Sequence, residues 1–265
     1  MQLWIWKRWD EKPYLTCALL PQPHGFFTRD FYPSTPEALV RALSDSAEVF
    51  RVKQVHSADV LLPAEIDAQV VAGLPMMSDG SKVPFPLADG VVSDRANQSV
   101  WACSADCTPV LICDVSLRRV AAVHAGWRGT AQKILPVAIE QMRSQGSELK
   151  NLRVALGPAI DGAVYQVGVP VACEVGATVM PNRAGDALIQ SLMDTENSPL
   201  LSDPDEGKVR LDVRRINQMQ MEQMGFASEQ VAIAPHCTYQ EPDLFFSYRR
   251  THEKKVQWAG IVSSS

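Results

Sequence analysis

The sequence predicts one layered domain of the α/β or α+β class. Short apolar runs bounded by turn residues recur along the chain and read as strands, and two longer segments carry apolar residues at helical spacing. The composition suits a sizeable core: 46% of the 265 residues are hydrophobic and 21% charged, and the mean hydropathy is -0.07, all ordinary for a globular protein. A large sheet-containing domain reaches this length, so residues 1–265 are expected to form a single domain.

Residues 1–29 read as short strands and turns, with Pro21, Pro23 and Gly25 near the apolar pair Phe26 and Phe27. The opening MQLWIWKRWD is Trp-rich but lacks a continuous apolar stretch and a small-residue cleavage site, so it is expected to be a first strand and not a signal peptide. After a loop containing Pro33 and Pro36, residues 37–45 have helical spacing, and residues 48–62 alternate like a strand with His56 near its end. Prolines at 63, 75, 84 and 86 and glycines at 73 and 80 mark residues 63–88 as a long excursion.

Residues 88–94, 100–114 and 120–125 read as strands, with VLIC in the second suggesting burial. A helix is predicted from near Thr130, with Ile134, Leu135, Ala138, Ile139 and Met142 on its apolar face, Pro136 a possible kink, and Gly146 near its end. Residues 151–160 read as a strand ending in a Gly-Pro turn, whereas 168–180 fits strand or helix equally. In 209–226 a helix is predicted on which Val213, Ile216, Met221 and Met224 share a face that Met219 misses. The remainder reads as two or three strands.

Several function classes are disfavoured. A net charge of -5 and a pI near 5.6 give no field that attracts phosphate backbones, so nucleic acid is not expected as a main partner. No window approaches the ~18 consecutive apolar residues of a membrane span. The six cysteines, at 17, 103, 107, 113, 173 and 237, are scattered through the chain. That spacing is unlike a secreted disulfide scaffold, and reduced thiols in the cytoplasm are expected.

The chemistry concentrates around Cys107 and His124. Placing them opposite each other in an antiparallel pair centres the turn between Val115 and Ser116, and a two-residue change of register leaves both on one face. The pair fits a metal site or a Cys–His nucleophile; the plainer reading is a buried thiol beside a satisfied core histidine. His56 is a candidate third ligand, and three protein ligands leave one position open, as in catalytic zinc sites. Cys103, in CSADC, lacks the usual CxxC spacing and is assigned to the core. The HxE and PCxxC signature of nucleobase deaminases and the HExxH of metalloproteases are both missing.

Three groups of motifs resemble one family in order: KQVHSADV (53–60), SADCTPVLICD (104–114) with AAVHAGWRGT (121–130), and HCTY (236–239) with FFSYRR (245–250). The resemblance, over nearly the whole chain, is to the multicopper polyphenol oxidoreductase (laccase-domain) family. That family is now regarded as purine nucleoside phosphorylases with adenosine deaminase activity and is also called peptidoglycan editing factors. It implies an α/β/β/α sandwich with mixed sheets and a zinc held by His56, Cys107 and His124, with copper a possible substitute. It also implies phosphorolysis of adenosine, inosine, guanosine or methylthioadenosine, and deamination of adenosine. From the matching motifs, Arg29, Gln54, Arg128 and Arg249 are expected to bind substrate, the arginines serving the phosphate. Asp106 is expected to orient a neighbouring group or accept a proton. The chain departs from the family where TRDFYPSTP replaces a glycine-rich segment after Arg29, and where Thr251 follows SYRR.

Multicopper chemistry requires on the order of ten histidines, mostly in His-x-His pairs; this chain has five, none so paired. Two other classes stand beside the nucleoside enzyme: a cysteine hydrolase editing peptidoglycan precursors, with Cys107 as nucleophile and His124 as base, and a non-catalytic protein with a structural metal. Spacing says nothing of oligomeric state.

Overall fold

The computed structural model describes residues 3–74 and 83–264. The chain opens with three antiparallel strands, β1 (Trp4–Trp9), β2 (Lys12–Cys17) and β3 (His24–Phe27), followed by the short helix α1 (Pro36–Leu39). The strand expected over 48–62 forms only at its ends, as β4 (Glu48–Phe50) and β5 (Val60–Leu61). Within the expected excursion lies a helix, α2 (Pro63–Ala72). Pro63 occupies its first position, where the missing N–H would have no helical partner anyway. Pro75 and Gly80 lie outside the described residues.

Four strands follow: β6 (Gly90–Val92), β7 (Gln98–Ser104), β8 (Thr108–Asp114) and β9 (Val120–Ala125). The single strand expected over 100–114 is therefore two, broken at a turn where Asp106 has a φ of 96°. The helix expected from Thr130 is also two, α3 (Trp127–Ala131) and α4 (Ile134–Ser144), parted where Lys133 is left-handed with φ 61°. Pro136 falls in the first turn of α4, where it is tolerated, so the break lies upstream of it.

Beyond β10 (Leu152–Leu156) and β11 (Gln166–Gly168), the ambiguous segment is the helix α5 (Val169–Gly176). Helix α6 (Gly185–Met193) and strand β12 (Leu200–Ser202) were not foreseen, and strand β13 (Lys208–Leu211) takes the first residues of the helix expected over 209–226. Helix α7 (Val213–Gln223) leads to β14 (Val231–Ile233); SYRR forms the short helix α8 (Tyr248–Thr251), not a strand, before β15 (Gln257–Val262). Met219 is buried although it misses the predicted face. It packs with Val213 and Ile216 toward α5 and α6, whereas Met221 faces α4, so α7 is covered on two sides.

Two six-stranded mixed sheets, ordered β1-β2-β3-β15-β7-β4 and β14-β10-β8-β9-β6-β5, carry the fold; β11-β13-β12 form a small third sheet. Strand β8 explains the layering. Leu111 and Cys113 pack with Phe26, Val100 and Ala259 of the first sheet, while Val110 and Ile112 pack against Ile134, Leu135 and Ile139 of α4. A strand covered on both faces reads as a continuous apolar run, as VLIC does. The far face of the first sheet carries Phe27 and Trp101 beneath Phe31, Leu39 and Val40. The result is an α/β/β/α sandwich. All six cysteines are free, and no described helix is long and apolar enough to cross a membrane.

His24 ties this frame to pH. Its Nε2 accepts the Cys17 backbone N–H at 2.8 Å and its Nδ1 lies 2.8 Å from the Gln22 carbonyl, which requires the neutral Nδ1–H tautomer. Burial, with a smaller contribution from the charge of Lys7, holds its pKa down at about 4 although the Gln22 carbonyl favours the proton. The unfolded chain takes up a proton near pH 6.5 that the folded chain refuses. Stability from this group is thus complete above about 6.5 and is lost as pH falls toward about 4. Denaturant melts at stepped pH are expected to show that decline, with a shallower slope in a His24→Gln variant; identical slopes would exclude His24 as its source.

Candidate metal centre

The site forms at one end of the sandwich, where the chain passes between the two sheets. Strand β4 belongs to the first sheet and β5 to the second, and β7 and β8 are divided in the same way. His56 lies on the first crossing and Cys107 on the second, while His124 lies near the end of β9. Pro109, and not Cys107, stands opposite His124, two residues from the pairing expected. Cys107 lies just outside the strand, and the three candidate ligand atoms of His56, Cys107 and His124 lie within 4.8 Å of one another. The two imidazoles meet edge to face, with centroids 4.9 Å apart.

Asp89 organises this cluster. Its fully buried carboxylate accepts the backbone N–H groups of Val55, His56 and Ser57 at 2.8–3.0 Å and the Ser57 hydroxyl at 3.1 Å. It also receives His124 Nδ1 at 2.8 Å. The amides of 55–57 are thereby withdrawn from any strand ladder, which is why the alternating sequence there is not a strand and why His56 can adopt φ 63°. Burial alone would raise the Asp89 pKa, but the His124 ring and the Val55 and Ser57 amides outweigh it and hold the carboxyl below its usual value. With Nδ1 engaged, His124 Nε2 faces the cluster, the arrangement in which a carboxylate fixes the tautomer of a metal-ligating histidine.

The charge state suits a cation. Burial opposes ionisation of Cys107, yet His124 and His56 beside it bring the thiol down to about 6. Burial likewise opposes a proton on His124, but the Cys107 thiolate and Asp89 carry its pKa up to about 9. Each group thus favours the charged form of the other, and an incoming cation takes the place of the proton on His124. Donor atoms around a tetrahedral ion with bonds of about 2.0–2.3 Å lie about 3.5 Å apart, so movements of roughly 1 Å would close this set. Gly126 leaves room for it, since a Cβ there would stand 2.8 Å from Cys107 Sγ and 3.3 Å from the His56 ring. Cys103 does not join the cluster; burial pushes its thiol up to about 12.

A small cleft with a cavity volume of about 30 Å³ lies over Cys107, walled by Asp106, Trp127, Ile160, Tyr165 and Val213. Asp106 binds its walls together. Its two carboxylate oxygens accept the Thr238 hydroxyl at 2.8 Å and the Arg249 backbone N–H at 2.7 Å, and its carbonyl accepts Ile160 N–H at 2.9 Å. The ADC, HCTY and SYRR motifs, far apart in sequence, thus meet around one carboxylate, whose oxygens already have donors.

The expected substrate residues divide. Arg249 lies over the Tyr165 ring at 4.8 Å, and Arg128 over the Trp127 ring at 4.3 Å, so both reach pocket walls. Gln54 instead bridges the Cys103 backbone through both amide atoms at 2.8 Å. Arg29 bonds the Pro242 carbonyl and covers the Phe246 ring at 4.9 Å. These two brace the segments around the site. Two residues escaped sequence reasoning: Tyr165, which has no motif, and Asp89. An acid opening the apolar run ADGVV was the available signal for Asp89, since a buried carboxylate demands donors.

Known proteins resemble this chain over most of its length. Residues 35–264 match the family described as multi-copper polyphenol oxidoreductase laccase. A purine nucleoside phosphorylase of Synechocystis sp. is 54% identical over 98% of this chain and 97% of its own. Adenosine deaminase RL5, of an unknown prokaryotic organism, is 26% identical over 78% of this chain and 71% of its own. The crystal structure of YlmD from Geobacillus stearothermophilus superposes with a TM-score of 0.74 at 22% identity, covering 98% of this chain and 99% of that one.

Replacing Asp89 by Asn removes the charge that orients His124 and leaves an amide N–H₂ facing donors. Metal affinity, read by competition with a chromophoric chelator, is expected to fall about 10–100-fold; an unchanged affinity would show that Asp89 does not orient the ligands.

Proposed function

We propose a function for this chain on one premise: it belongs to the multi-copper polyphenol oxidoreductase laccase family. The chain is a cytoplasmic zinc enzyme of purine nucleosides, catalysing phosphorolysis of adenosine, inosine, guanosine or methylthioadenosine and deamination of adenosine. The observation that carries this reading is the convergence of His56, Cys107 and His124 beneath a pocket walled by aromatic and apolar side chains. The names of the relatives supply the substrate class: several are called purine nucleoside phosphorylases and one an adenosine deaminase. Copper oxidation is disfavoured by the donor set, because His24 bonds Cys17 and Gln22, His236 lies against Glu241, and His252 packs on Tyr248. That leaves two histidines at the centre.

His56, Cys107 and His124 would hold the zinc, a thiolate and two imidazoles suiting that ion, with copper able to replace it. When bound, the ion supplies Lewis acidity toward water or a substrate group at the open position. The chain's own residues do the rest. Asp89 keeps Nε2 of His124 turned toward Cys107. Trp127 and Tyr165 offer flat surfaces for a purine or ribose. Arg128 and Arg249 supply positive charge for phosphate, while Arg29 and Gln54 act by holding the adjoining segments. Asp106 positions Cys107 and the Arg249 backbone.

In phosphorolysis a phosphate oxygen bonds to C1′ of the sugar, the electron pair of the C1′–N9 bond leaves with the purine, and the hydrogen of monohydrogen phosphate ends on the purine. The cysteine hydrolase acting on peptidoglycan precursors is a second reading, favoured by the proximity of the Cys107 thiol to the His124 ring, whose far nitrogen is held by Asp89. Metal content and nucleoside turnover separate the two.

The test is turnover of adenosine by the purified protein with and without phosphate, resolving adenine, inosine and hypoxanthine. Phosphate-dependent adenine and phosphate-independent inosine are expected, with about one zinc per chain. Both activities should fall at least about a hundredfold in Cys107→Ala. A folded, zinc-loaded protein that leaves every nucleoside intact would sink the reading and favour the hydrolase.

A further inference from the structure

We infer that the Tyr165 hydroxyl, together with the guanidinium groups of Arg249 and Arg128, forms an anion subsite beside the metal centre that takes the phosphate co-substrate. The inference rests on the phosphorylase reading and adds to it a residue that no motif marks.

Tyr165 lines the pocket with Cys107, and its ring is partly buried against the cluster formed by α5, α6 and α7. The Arg249 guanidinium lies over that ring at 4.8 Å, and one of its nitrogens is tethered to the Gln166 carbonyl at 2.9 Å. With its backbone N–H held by Asp106, Arg249 is fixed at two points. Its Nε and Nη2, the whole Arg128 guanidinium and the Tyr165 hydroxyl have no hydrogen-bond partner among the described residues, so all are available to a ligand.

Tyr165 feels the positive charge of Arg249, whose guanidinium covers its ring, and of Arg128, and the negative charge of Cys107 and Asp106. The two negative groups are already engaged. Cys107 faces the histidines, and both Asp106 oxygens accept protein donors. The uncompensated charge at this end of the pocket is therefore positive. Burial pushes the Tyr165 phenol up to about 12, so it remains a neutral O–H donor. Two guanidinium groups and a neutral hydroxyl suit a doubly charged oxyanion. An electron-rich purine ring needs no such charge, which is why phosphate is assigned here and the nucleoside to the side nearer Cys107.

Tyr165→Phe removes the hydroxyl and keeps the ring beneath Arg249. Steady-state phosphorolysis of inosine by the zinc-loaded protein is expected to show KM for phosphate raised about tenfold in the variant. KM for inosine should stay within about twofold. Calorimetric titration with inorganic phosphate alone, independent of turnover, should show the same weakening. Equal phosphate affinity in the two proteins, no phosphate binding by the wild type, or a loss shared equally between phosphate and inosine would each overturn the subsite. Tyr165-dependent phosphate binding by a protein that turns over no nucleoside would uphold the subsite and defeat the phosphorylase reading instead.

Discussion

The functional end of this molecule depends on one buried carboxylate. Asp89 accepts from three consecutive backbone amides, a serine hydroxyl and the His124 ring, and so gathers two of the three candidate ligands onto a single anchor. A carboxylate removed from water is costly unless donors surround it. Here they do, and the same bonds that satisfy it impose the left-handed conformation on His56 and select the tautomer of His124. Folding and ligand geometry are thus set by the same contacts.

The sandwich supplies the second constraint. Chains that cross from one sheet to the other must leave the ladder, and at the crossings backbone groups become free to bind side chains in place of strands. His56 and Cys107 both lie on such crossings, and Asp106, at φ 96°, makes the sharper of the two turns. Non-glycine residues adopt that conformation only when the surroundings hold them there, and the Thr238 and Arg249 contacts do so. The pocket is consequently assembled from segments some 140 residues apart in sequence, joined through Asp106, as its bond to Arg249 shows.

Much of this was legible beforehand. VLIC reads as a doubly buried strand because both of its faces are apolar, and β9, β10 and α7 follow from periodicity alone. Convergence of Cys107 and His124 follows from antiparallel pairing even though the register differs by two, since side-chain direction in a strand repeats every two residues. Where alternation failed, over 48–62, the competing partner was a side chain 32–34 residues away, which no local pattern contains. Strands β12 and β13 are three and four residues long, too short to show a period, and are held by packing of Leu200 and Val209 into a cluster with α5 and α7, whereas α6 carries Leu188 and Leu192 at helical spacing.

By itself the sequence determined the class of fold and the apolar runs of its main elements, and it offered His56, Cys107 and His124 as candidate ligands. Each of these depends on residue type and local spacing. Only the tertiary structure decided that Asp89 orders the ligands, that Gln54 and Arg29 bond backbone segments beside the site, and that Tyr165 lies at the pocket wall beneath the Arg249 guanidinium. Those assignments depend on which distant groups a buried polar atom finds as partners, and that is set by the packing of two sheets against each other.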